Sequence, residues 1–485
     1  MPFMRKLLIS LLALAACQSD PKGTREMTDT NVTAAAKEAD CLPVPAPFTI
    51  RHPEWARTAT LYQVNVRQYT PEGTFRAFER HLPRLDSLGV GILWLMPVQP
   101  IGVEKRKGSL GSQYSVRDYR AVNPEFGTMA DLQHLIAEAH KRKMHVILDW
   151  VANHTSWDNA LVREHPDWYT RDAQGRLVPP VADWQDVVDL NYANPDLRRY
   201  MTESMAYWVR EAGFDGFRAD VAGMVPTDFW DATRAELEKI KPVFMLAEWD
   251  ELHDPPFLPK GTFTPNTHLL ERAFDATYAL RLHYLLDSIA RGQKTTAALP
   301  RYFADERRMY PPGVQLMNFT SSHDVNSWDG TEYERLGQNA QPLAVMTILL
   351  PGIPLIYSGQ EAALKKRLRF FDKDTIPWNG YPLQEFYRTL IRLKKQHPAL
   401  RNYDACGEFE LRPGPVGTVV FERRRGADAV FVALNLTDTE QEVAESLVAP
   451  DASAAAFTDV FTGNRVDAAR PLAVPAHGWR VLARK

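Results

Sequence analysis

Four short polar clusters stand at the C-terminal ends of apolar runs in this chain, and acids dominate them. They are Asp149 in HVILDWVANH, Asp220 in FDGFRADV, Glu248 in VFMLAEWD, and the His323-Asp324 pair in QLMNFTSSHD. Each run has the composition of a buried strand. Burying a carboxylate is costly unless it is paired or used. Two carboxyls held about 5 to 5.5 Å apart can cleave a glycosidic bond with retention, one as nucleophile and the other as acid and then base. The ends of adjacent parallel strands, about 4.8 Å apart, can hold two side chains at that distance. Asp220 and Glu248 are 28 positions apart, the length of one strand-helix repeat. Acids recurring at strand C-termini predict a pocket at the mouth of a parallel α/β barrel.

The elements that must position them follow in alternation from residue 59. TLYQVNV, VGILWLMP, MHVILDW, FDGFRAD, PVFMLAE, RAFDATY, VQLMNFT and IPLIYSG read as eight strands. Between the first two, TFRAFERHLPRLDSLG reads as one amphipathic helix ended by Gly89. DLQHLIAEAHKRK is a second helix, with basic residues in its last turn. Asp149 and Asp220 are 71 positions apart, far too many for one repeat. The excess, residues 154–195, predicts an insertion after the third strand on the catalytic face. Beyond LQEFYRTLIRLKKQHPAL the periodicity shortens to two, and residues 403–485 read as an antiparallel β-sandwich. The expected organisation is a (β/α)8 TIM barrel over 48–402 with that insertion and sandwich.

The chain has 485 residues, 45% of them hydrophobic and 24% charged, which suits a large barrel plus a module. A net charge of −3 offers no basic field for nucleic acid. At the N-terminus, Arg5 and Lys6 precede an apolar stretch from Leu7 to Ala16, which is too short to span a bilayer. Residues 1–16 therefore read as a signal peptide. Leu14-Ala15-Ala16-Cys17 resembles a bacterial lipobox, which implies cleavage before Cys17 and lipidation of its sulfur; plain secretion is the alternative. Residues 17–47 are polar and read as a tether. The expectation is an exported, periplasmic or cell-surface, monomeric protein whose only membrane attachment is the lipid. Cys41 and Cys406 remain, either as a bridge or as two thiols.

These motifs together resemble the α-amylase superfamily of retaining glycoside hydrolases (family 13), over residues 55 to 485. DWVANH (149–154) is similar to its first signature and GFRAD (216–220) to its second. Glu248 in LAEW and His323-Asp324 match the third and fourth. VVDLN (187–191) resembles the motif in the insertion, and GIPLIYSGQE (352–361) the one at the eighth strand. The resemblance implies Asp220 as nucleophile, Glu248 as general acid/base and Asp324 as transition-state stabiliser. Arg218, two residues before Asp220 on the same strand face, would keep it ionised. A neighbouring carboxylate would help Glu248 keep its proton. His154, His323 and Asp149 become sugar contacts, although Asp149 can instead orient Arg218. Tyr114, four residues before Asp118, matches the family's sugar-stacking tyrosine, or else packs in the core. Trp249 and Trp328 flank two motifs, as subsite lining or as core.

The resemblance implies no required cofactor. Family members that bind calcium use the asparagine of the first signature, an acid of the insertion and a group after the second. Asn153 and Asp189 are candidates for two of these. Val221-Ala222-Gly223-Met224 offers only backbone carbonyls for the third, and calcium needs six to eight oxygens. The expected activity is hydrolysis of α-1,4 bonds in starch-derived oligo- and polysaccharides. A transglycosylase, or an α-1,6-, sucrose- or trehalose-acting enzyme, shares the same triad. A catalytically inactive barrel used for carbohydrate binding or assembly is the reading from another class.

Overall fold

The computed structural model describes residues 46–250, 265–448 and 457–484. The signal peptide, Cys17 and Cys41 lie outside these residues. Eight parallel strands close into a barrel in chain order: β1 (Leu61–Val64), β2 (Ile92–Leu95), β3 (His145–Trp150), β4 (Gly216–Ala219), β5 (Phe244–Ala247), β6 (Ala276–Tyr278), β7 (Gln315–Asn318) and β8 (Ile353–Tyr357). Among the described residues no helix is long and apolar enough to cross a membrane.

The two-residue period of the strands decides what reaches the barrel interior. Leu61, Ile92, Ile147, Phe244, Leu246 and Leu355 share the inner core. Tyr62, Leu93, Val146, Leu148, Phe217, Met245 and Ile356 pack outward against the helices. Continuing that alternation turns Gln63, Trp94, Asp149, Arg218 and Glu248 inward at the upper ends of β1 to β5. One glycine is required for the approach of two of these strands. A Cβ on Gly216, at φ +151°, would lie 1.8 Å from the Phe244 carbonyl oxygen. This close approach pairs Arg218 with Leu246 and Ala219 with Ala247.

The first helix is broken, contrary to the single helix expected. Phe75–Glu79 ends, and Leu82–Leu88 begins with Pro83 in its first turn. A proline there has no N–H to donate and its ring would strike the carbonyl four residues back, so the helix restarts. Gly89 then caps it at φ 98°. Met129–Lys141 starts with a reciprocal Thr128–Asp131 capping box. The insertion pairs His154–Ser156 with Val187–Asp189 as an antiparallel ribbon, and Asn194 caps the returning helix Pro195–Tyr207.

After the last barrel helix, Gln384–Gln396, six antiparallel strands form one sheet and a two-stranded ribbon faces it. Alternate residues divide the sheet between two cores. Val419, Phe421, Val430, Val432 and Leu434 pack on the barrel. Val420, Phe431, Ala433 and Leu482 pack beneath Val443, Leu472 and Val474 of the ribbon. Cys406, at the start of this module, is disulfide-bonded.

Candidate active site

Arg218 is the centre of the site. It is fully buried, and Nη1 donates to Asp149 Oδ1 at 2.7 Å and to Asp220 Oδ1 at 2.9 Å. Nη2 lies 2.7 Å from Glu248 Oε1, an ion pair rather than an aligned hydrogen bond. Nε donates to the Tyr278 hydroxyl at 3.1 Å, and the guanidinium sits 5.2 Å from the Trp94 ring. One cation thus gathers acids from the ends of three neighbouring strands, β3, β4 and β5. Its planar fork suits that task where a lysine would not. Asp220 and Glu248 are therefore held against a single guanidinium, within reach of one sugar ring.

Glu248 is fixed from a second side. Val221, just after Asp220, sits in the left-handed region at φ 38° and ψ 50°, and its N–H donates to Glu248 Oε2 at 2.9 Å. A β-branched residue is strained there, and such strain concentrates at working sites.

A chain of hydrogen bonds sets the other wall. The His323 N–H donates to Gln63 Oε1 at 3.1 Å, which turns the Gln63 amide nitrogen toward His323 Nδ1, 2.7 Å away. The proton of the neutral ring is thereby assigned to Nε2, which faces the Tyr114 hydroxyl at 2.7 Å and Asp324 Oδ2 at 3.2 Å. Tyr114 in turn donates to Asp149 Oδ2 at 3.0 Å, as does Trp94 Nε1 at 3.0 Å. Burial, helped by Arg218, holds His323 well below its ordinary pKa, and burial pulls His154 down to about 4. Both imidazoles are neutral at pH 7.

A cavity of about 530 Å³, within the range of small-ligand sites, opens above this network. Asp220, Glu248 and Asp324 line it, together with Tyr114, His154 and His323. Asp149 and Arg218 do not line it; both are fully buried below its floor. They hold the carboxyls and Tyr114 and do not line the cavity; of the two readings of Asp149, orientation of Arg218 fits this position and sugar contact does not, and Arg218, a family substrate-binding position, is likewise set below the floor. Trp249 packs against Gly223, where a Cβ would meet its ring at 2.1 Å, whereas Trp328 is 55% exposed and lines the cavity.

Three of these acids, Asp149, Asp220 and Asp324, are raised above the ordinary carboxylate range, first of all by burial. Burial raises Asp149 to about 6 despite Arg218. Burial and then the charge of Glu248 push Asp324 to about 7. The same two causes, in that order, push Asp220 well above its ordinary range against the pull of Arg218. The expectation that Arg218 keeps Asp220 ionised is corrected on this point, because burial and then the charge of Glu248 outweigh the guanidinium.

The calcium candidates do not assemble a cage. The Asn153 side-chain nitrogen faces His154 Nδ1 at 3.3 Å, and its backbone carbonyl accepts from Leu190 N. Asp189 is raised to about 6 by burial, so its charge lacks a strong partner. Among the described residues no group of three or more His, Cys, Asp and Glu is placed to hold a metal. Asn153 and Asp189 stand at neighbouring positions of the ribbon, where His154 pairs with Asp189, but two side-chain donors fall short of the six to eight oxygens the ion takes.

Several residues of the site escaped the sequence. Gln63 carried a usable signal, a polar residue inside an apolar strand. Trp94 and Tyr278 read as ordinary strand aromatics. Lys107, Trp184, Phe370 and Phe371 sit in loops, and nothing local marks them as lining residues.

The family model for the alpha amylase catalytic domain matches residues 28–254. An alpha-amylase from Lactobacillus plantarum superposes with a TM-score of 0.79 at 31% identity, covering 89% of this chain and all of that one. The chain belongs to the α-amylase family of glycoside hydrolases. A noncanonic maltogenic alpha-amylase, AmyB of Thermotoga neapolitana, superposes at 0.76 with 28% identity, covering 89% and 99% of the two chains. Alpha-amylase MalA of Haloarcula japonica is 28% identical over 402 residues, 79% of this chain; the match spans only 56% of MalA.

Proposed function

We propose that this protein is a retaining α-glucan hydrolase acting on α-1,4 bonds of starch-derived oligo- and polysaccharides. The observation that carries this reading is the convergence of Asp220, Glu248 and Asp324 on one cavity, the first two bound to the same guanidinium. The relatives named as amylase and maltogenic amylase support the choice of substrate.

In the first step Asp220 attacks the anomeric carbon as the bond to the glycosidic oxygen breaks. Glu248 gives its proton to that oxygen, and the leaving sugar departs as an alcohol. In the second step the Glu248 carboxylate takes a proton from water. The resulting hydroxide oxygen attacks the same carbon, releasing Asp220. Two inversions return the α-configuration. Asp324, beside the neutral Nε2–H of His323, stabilises the positive charge that develops on the ring. Fresh product from maltooligosaccharides is expected as the α-anomer; β-anomer product would reject this mechanism.

Asp324 works only when ionised. With its pKa raised to about 7, kcat/KM of the free enzyme falls as pH drops below that value. Asp324→Asn is expected to shift this acid limb away from pH 7, leaving the limb of the raised Asp220 nucleophile, and to lower kcat/KM about 100- to 1,000-fold. A pH–rate profile that keeps the limb at about pH 7 in the variant would assign it to another group.

Export as a lipoprotein anchored at Cys17, with a monomeric catalytic unit, completes the proposal. Metabolic labelling with a fatty acid, compared between the native chain and Cys17→Ser, tests the anchor.

A further inference from the structure

Three loops are laced together over one side of the cavity. From the loop 101–111 after β2, Lys107 Nζ reaches the insertion, 3.0 Å from Asp186 Oδ1 and 3.0 Å from the Asp183 carbonyl. Two residues on, the Ser109 N–H and hydroxyl donate to Asp372 Oδ1 at 2.9 and 2.6 Å, and Leu110 N donates to the Phe371 carbonyl at 3.0 Å. These bonds tie the same loop to the segment beyond β8. Gly108, at φ +62°, lies so near that a Cβ would stand 2.5 Å from Phe371 Cβ. Lys107, Asp186 and Phe371 all line the cavity, so the lacing forms its wall.

The position of this wall follows from strand order. Its three loops leave β2, β3 and β8, an arc that runs from β8 past β1 to β3. Glu248 ends β5, across the barrel mouth. The acid must face the leaving sugar, so the wall stands at the opposite end, beyond the ring under attack. It is continuous with that ring's surroundings, since Phe370 stacks on Tyr114 at 6.2 Å and on His323 at 6.1 Å.

We propose that this wall makes the enzyme chain-end-acting. It admits the free non-reducing terminus of an α-glucan and excludes an internal segment, and the Lys107–Asp186 pair hydrogen-bonds the terminal hydroxyls. The inference rests on the glycosidase reading and adds the direction and mode of attack.

The test compares p-nitrophenyl maltoheptaoside with the same compound blocked by a 4,6-O-ethylidene group on its non-reducing sugar. Native enzyme is expected to show a kcat/KM at least about 100-fold lower on the blocked chain, and a single short product length from the first turnovers. Lys107→Ala and Phe371→Ala, each opening the wall, are expected to narrow that ratio to below about tenfold, mainly through KM. Binding to Asp220→Asn, by calorimetry, reads the same discrimination without turnover. Equal cleavage or binding of the two chains, or mid-chain products from the outset, overturns chain-end action and leaves the glycosidase reading intact. Failure of both chains to bind or react overturns the glycosidase reading and this inference with it.

Discussion

Asp220→Asn is expected to lower kcat by on the order of 10⁴-fold with KM little changed, because the amide cannot attack the anomeric carbon yet keeps the shape of the pocket. The substitution also leaves Arg218 bound to Asp149 and Glu248, so the fold is retained. Glu248→Ala should be equally damaging on maltooligosaccharides for a different reason, since it removes the proton that the leaving sugar needs. The two defects separate when the leaving group is changed. An α-maltosyl fluoride departs without protonation. Glu248→Ala should therefore form the glycosyl-enzyme from the fluoride at a near-native rate and then stall, whereas Asp220→Asn should do neither. Exogenous azide should restart the Glu248→Ala enzyme and release an azido-sugar of retained configuration. If the fluoride and the natural oligosaccharide are equally slow with Glu248→Ala, that residue is not the acid.

Arg218→Met should cost about 3 to 5 kcal/mol of stability, the usual consequence of stripping the partner from buried charges. Here three carboxyls, Asp149, Asp220 and Glu248, lose the same counter-ion. The loss depends on pH. Asp149 sits at about 6 in the folded protein against an ordinary 3.8, even with the guanidinium in place, and removing the cation raises it further. A carboxyl with a raised folded pKa contributes stability that is full below about 3.8 and disappears as pH rises through the folded value. The variant should therefore unfold much more readily than the native chain at pH 8 and approach it at pH 5. Urea midpoints at the two pH values check this. An equal deficit at both would mean that the acids do not need the cation. Arg218→Lys should recover part of the stability and little of the activity, since one ammonium cannot hold Asp220, Glu248 and Tyr278 in the geometry of the fork.

Local pattern was enough for the barrel. Each of the eight strands is a short apolar run with a punctuating glycine, proline or acid nearby, and such runs are legible because burial in a parallel sheet demands continuous hydrophobicity. The same pattern placed Asp149, Asp220, Glu248 and His323-Asp324 at strand C-termini, since a charged residue ending a buried run stands out against it. The insertion was visible as excess length between Asp149 and Asp220. The break at Pro83 was legible in principle; the apolar spacing on either side of it masked the turn.

What the chain's order of residues determined by itself was therefore which side chains are delivered to the barrel mouth and from which strand. Tertiary structure alone decided which of them face the ligand. Asp149 and Arg218 sink beneath the floor while Asp220 and Glu248 remain above it, because depth along the barrel axis depends on strand stagger, which no periodicity records. The same holds for the support of His323 by Gln63, 260 residues away, and for the wall in which Lys107, Asp186 and Ser109–Asp372 meet. Those contacts join loops whose sequences carry no mark of one another. They arise only when closure of the barrel brings the loops after β2, β3 and β8 to one rim.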